Sequence, residues 1–174
     1  MTGAEILNDL GIRGYERPLS DVRNLPTWPS LTSPLQVTLL VIDFDTEVAM
    51  NGILGFLENS TGAYLNQTID VFVMLGSTQT AEVLQGIRAI MSKHAVTHEQ
   101  LRAPYQNVSE YQITSFKELH GPLFDDFAAE VCAHAEELYI HDQTKESPFP
   151  LLTAYVDKHV TEILAELERV GVKP

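Results

Sequence analysis

A single segment limits the possible folds more than any other. Ser33-Pro34 pairs a side chain suited to a helix N-cap with a proline suited to the first helical position. From Pro34 to about Glu58 no residue type stops a helix outright, and Leu35, Leu39, Ile42, Val48, Leu54 and Leu57 spread apolar surface over much of the circumference. A helix apolar on so many sides must be central, with other helices laid around it. The spacing therefore predicts an all-α, single-domain bundle of about six to eight helices. The chain length of 174 residues suits one domain with a real core.

The remaining elements follow from their stop and start signals. Ala4 to Leu10 reads as a short helix ended by Gly11, and residues 12–33, with Pro18, Pro26, Pro29 and the lone Trp28, as an irregular arm. Two parts are thus expected, the arm over 1–33 and a helical domain over 34–174. Asn59 to Gly62 closes the long helix, and Thr61 or Gly62 opens another that reaches Leu75 before Gly76. Thr78 or Thr80 caps a helix to Lys93 or His94. Thr97 with Glu99-Gln100 opens a short turn of helix stopped by Pro104. Ser109 to Leu119 is a weaker helical stretch. Pro122–His141 and Pro148–Val170 are two further helices, each entered through proline.

Charge is the second constraint. The net charge is −13, from 24 acidic residues against 11 Lys and Arg. Phosphates need Lys and Arg to neutralise them, so direct binding to nucleic acid is disfavoured, as is an anionic lipid surface. No apolar stretch is long enough to span a bilayer, no leader is visible, and the single Cys132 fits a reducing compartment. The expected location is the cytoplasm.

Ten of the thirteen excess charges fall between Glu118 and Glu168, where twelve acidic residues face only Lys145 and Lys158. On a helical wheel Phe124, Phe127, Val131, Ala135, Leu138 and Tyr139 share one side. Asp126, Glu130 and Glu137 lie opposite, with Asp125 and Glu136 beside them. Asp157, Glu162 and Glu166 repeat the arrangement on the last helix. Like charges at i,i+4 cost about 0.2–0.5 kcal/mol per pair. A face kept only for solubility would mix in lysines. Carboxylates four residues apart stand ~6 Å apart along a helix, and duplex DNA places a charge every ~3.4 Å along each strand. Two neighbouring acidic helices could thus present a phosphate-like array to a basic protein.

The central stretch contains Glu47, then Asn51-Gly52, Phe56, and Asn59-Ser-Thr-Gly62. This pattern resembles a bacterial helical domain family whose hallmark is a Glu, Asn-Gly, Phe, and Asn-Ser-Ser/Thr-Gly. Phe124-Asp-Asp-Phe127 and Tyr155-Val-x-Lys-His159 are similar to its C-terminal half, so the resemblance spans roughly residues 35–160. Ile53 and Leu54 depart from it, standing where the family has a second Gly and often an aromatic. The family includes a dimeric DNA mimic that occupies the DNA-binding surface of a transcription factor. The resemblance thus implies a non-enzymatic homodimer that competes with DNA for a basic DNA-binding protein, and neither a cofactor nor a metal. From their own chemistry, Glu47 and Asn51 are neighbours at i,i+4 and read as a polar lock between helices, and Gly52 suggests close approach of another backbone.

Other chemistry is sparse. Cys132 reads as a small buried hydrophobe. Glu130-x3-His134, Glu137-x3-His141 and His94-x3-His98 lack the Glu-x-x-His pairs on separate helices that di-metal bundles use. Asp43-x-Asp45-x-Glu47 reads as helix-surface charge. The rival readings are a small-ligand protein or enzyme with a Glu47/Asn51 pocket, and an acidic immunity or adaptor protein neutralising a basic toxin.

Overall fold

A computed structural model describes residues 1–104, 115–140 and 145–172. It is an all-α bundle, with no strand among the described residues. The helices are α1 (Gly3–Arg13), α2 (Pro34–Glu58), α3 (Leu65–Leu75), α4 (Thr78–Lys93), α5 (His98–Arg102), α6 (Phe116–His120), α7 (Asp125–Ala135), α8 (Phe149–Lys158) and α9 (Val160–Arg169). Seven of these have ten residues or more, within the expected six to eight. No helix among the described residues is long and apolar enough to cross a membrane.

The long helix is central, as its apolar circumference requires. Every residue from Pro34 to Phe44 is buried, and α1, α3, α5, α7, α8 and α9 all pack against α2. Phe44 holds the middle of the core, with edge-on contacts to Phe56 and Phe72. At the N-terminus Ser33 Oγ accepts from the Gln36 N–H and donates to the Glu166 carboxylate, so one hydroxyl caps α2 and ties it to α9. Gly76, in the left-handed conformation at φ 82°, ends α3, and capping boxes at Thr97 and Ser115 start α5 and α6.

Several boundaries differ from expectation. α1 runs through Gly11 and ends at Gly14, whose N–H bonds to the Leu10 carbonyl. The arm contains a 3₁₀ turn at Leu19–Asn24 and is fastened by Arg23. That guanidinium donates to both oxygens of Asp43, to the Gly14 carbonyl, and lies over the rings of Tyr15 and Trp28. Asp43 is therefore a buried partner in an ion pair rather than helix-surface charge. Asp45, two residues further on, accepts from the Tyr139 hydroxyl at 2.5 Å. The helix expected to reach His141 stops at Ala135, and the one expected over Pro148–Val170 breaks at His159 (φ −112°, ψ 17°) into α8 and α9. Of the weak stretch Ser109–Leu119, residues 109–114 lie outside the described residues, and the rest belongs to α6.

Candidate protein-interaction surface

The apolar side of α7 is placed as the wheel requires. Phe127, Val131, Ala135 and Leu138 are buried, while Asp126, Ala129, Ala133 and Glu136 face solvent. The helix packs on α4 and α2. Against α4 the approach is close: a Cβ on Gly86 would meet His134 Nε2 at 2.0 Å, so the absence of a side chain at 86 makes room for that imidazole.

The carboxylates of α7 are not equivalent. Glu130 receives both Lys93 (2.8 Å) and His94 (2.7 Å) from α4, and these bonds, His94 first, hold its carboxyl below the usual carboxylate range. Asp125 pairs with Lys117 at 3.2 Å, and Glu137, in the turn after α7, pairs with Lys145. Asp126 and Glu136 carry no ion pair among the described residues. They stand ten residues apart, ~15 Å along the axis.

The second group is more dispersed. Asp157, at the end of α8, accepts from the Gly3 N–H at 2.6 Å, and a Cβ on Gly3 would lie 2.8 Å from it, so this carboxylate serves the α1–α8 contact. Glu166 is half-buried on Ser33. Glu162 is exposed and lies 3.1 Å from His159 Nδ1. α7 and α9 share α2 as a support, but α7 otherwise rests on α4, and α9 on α8. The array expected along two neighbouring helices is therefore two separate acidic ridges carried by one central helix.

The Glu47 motif is a clamp across a break. Gly52 has φ 70° and ψ 179°, a conformation open almost only to glycine, and it divides α2 into two helical parts. Glu47 Oε2 accepts from Asn51 Nδ2 at 3.0 Å on the near side of the break and from Asn59 Nδ2 beyond it. Phe56 is fully buried between them. A Cβ on Gly52 would meet nothing within 4 Å, so its glycine answers to backbone conformation and not to a close neighbour. The close approach is at Gly62, where a Cβ would fall 2.5 Å from the Leu57 carbonyl and 2.6 Å from that of Phe56.

The end of α2 holds a feature the sequence did not announce. Glu58 is buried, its carboxylate 3.7 Å from Nε2 of the equally buried His120, and burial pushes the Glu58 carboxyl up to about 7 and the His120 imidazole down. Phe116 and Phe124 flank His120 at 4.3 and 5.1 Å between centroids. The one available signal was an acid directly after Leu54, Phe56 and Leu57 in an apolar run.

Cys132 is exposed, not buried, because α7 turns it away from the core; partial burial and Glu136 still push its thiol up, away from a reactive thiolate. His134 packs on Gly86 rather than pairing with Glu130, and His141 lies outside the described residues. Among the described residues no three or more His, Cys, Asp or Glu side chains gather as a metal site would require.

A family model described as DMP19-like protein matches residues 29–159 of the chain. The match takes in α2 to α8 and ends at the His159 break. Neither the curated proteins nor the solved structures contain a match.

Proposed function

The chain belongs to the DMP19-like family, and from its resemblance to the DNA mimic which that family includes we propose that its acidic surface occupies the DNA-binding site of a basic protein such as a transcription factor, in competition with DNA. The observation that carries the reading beyond the family is the state of Asp126 and Glu136. Asp126 on α7 and Glu136 at its C-cap are both exposed and unpaired among the described residues, so they need not abandon an internal cation to meet an external one. Asp125, Glu130 and Glu137 add negative potential while already sharing Lys117, Lys93 and Lys145. Asp157, Glu162 and Glu166 extend it from the second ridge. The mechanism is occlusion, requiring no catalytic residue and no cofactor. Association is steered by charge and weakens with salt as the screening length shrinks from about 30 Å at 0.01 M to about 8 Å at 0.15 M.

Two amides already engage the Glu47 carboxylate, which favours an architectural role for the hallmark over a ligand site. The working state is a cytoplasmic homodimer, as the resemblance implies, and that would double the number of carboxylates offered to a partner.

The test is capture of partners from bacterial lysate by the immobilised protein, with elution by duplex DNA. The expected result is a DNA-binding protein that DNA displaces, and that Asp126→Lys/Glu136→Lys no longer retains. Retention unaffected by DNA and by this charge reversal would refute the reading.

A further inference from the structure

Beside Glu136, the residue that caps the end of α7, lies an apolar cleft. It has a volume of about 270 Å³ and is lined by Gly52, Ile53, Cys132, Ala135 and Glu136. Its floor is the break in α2, where the missing Cβ of Gly52 leaves open space. Glu136 supplies the one carboxylate of the lining. The volume lies just below the about 300–1,000 Å³ of pockets for drug-sized ligands and leaves ample room for one apolar side chain.

We propose that this cleft seats a single apolar side chain projecting from the basic surface of the protein partner, with Lys or Arg beside it meeting Glu136 and Asp126. The inference rests on the reading above that the acidic surface binds a basic protein, and it adds the element that fixes which basic protein is held. The charge pattern selects the occupant: an apolar group arriving on an acidic or neutral surface would bring no cation to Glu136. Imitation of a duplex by charge alone has no use for such a cleft. Interfaces owe their lifetime to a buried apolar anchor inside a polar rim, while the rim charges govern encounter. Residues of both kinds lie together on α7.

The probes are two fluorescent helical peptides, one of Lys and Ala only and one identical but for a central Leu. Anisotropy titrations at about 0.15 M salt should show the Leu peptide binding roughly tenfold tighter, and only that peptide should slow modification of the Cys132 thiol by a disulfide reagent. Cys132→Tyr, a change at an exposed position, should fill the cleft and bring the ratio of the two peptides' affinities, both measured on the variant, close to one; its circular dichroism confirms the fold. Equal affinities of the two peptides, or a Leu advantage that survives Cys132→Tyr, would overturn the proposal. If equal binding is still weakened by Asp126→Lys/Glu136→Lys, the cleft fails and the acidic surface stands. If charge reversal leaves it unchanged, both fail.

Discussion

Glu58 shows how far one carboxylate can be moved by its surroundings. With a folded pKa of about 7, against an ordinary value of 4.5, it binds its proton more tightly in the folded chain than in the unfolded one. Its contribution to stability is complete below about pH 4.5 and is lost as pH rises towards 7. His120 works in the other direction: its imidazole is shifted down from 6.5, so stability falls as pH drops below that value. Glu58→Gln keeps the shape and removes the titration. In urea titrations from pH 4.5 to 7.5 the stability of the parent relative to the variant should fall by on the order of 2–3 kcal/mol, the contribution of His120 being common to both. Parallel pH profiles would show that Glu58 is solvated as an ordinary carboxylate. Neither the burial of Glu58 nor the exposure of Cys132 was legible in the sequence. An acid at a helix end looks like surface, and one wheel position decides whether a small side chain faces in or out. The candidate carboxylates were all legible as residues; their internal partners Lys93, His94 and Ser33 were not, because they come from distant parts of the chain.

Helix starts were readable where caps and prolines encode them locally: Ser33-Pro34 and Thr97 each begin a helix where their chemistry places it, whereas the Ser115 cap of α6 was missed inside the expected stretch Ser109–Leu119. Ends without glycine were not readable. Nothing between Ala135 and Ile140 or around His159 is a breaker by type, yet α7 ends at Ala135 and α8 gives way to α9 at His159. The hallmark glycines divide similarly. Gly52 permits the break in α2, and Gly62 lets the following 3₁₀ turn lie against the Leu57 and Phe56 carbonyls. Gly52→Ala should cost about 1–3 kcal/mol, the strain of that backbone region. Gly62→Ala should cost more, since backbone atoms rather than flexible side chains stand in the way. Urea denaturation of the two variants would rank them, and a milder effect at Gly62 would contradict the packing described for that turn.

At the scale of the molecule, −13 is a self-repelling charge that folding concentrates. Among the described residues Arg13, Arg17, Arg23, Lys93, Lys117 and Lys145 pair with carboxylates of the same fold, which leaves few cations to offset the rest. Added salt should therefore stabilise the protein, because screening relieves more repulsion than attraction. Raising the ionic strength from about 0.01 to 0.15 M should raise Tm by scanning calorimetry, whereas a falling Tm would mean that the internal pairs dominate. The arm has a consequence of its own. The matched family segment starts at residue 29, yet the guanidinium that neutralises the buried Asp43 belongs to Arg23. Removing one partner from such a pair typically costs about 3–5 kcal/mol. The family portion thus borrows its counter-ion from upstream, and any relative that exchanges this arm must supply another cation to that position or give up the acid.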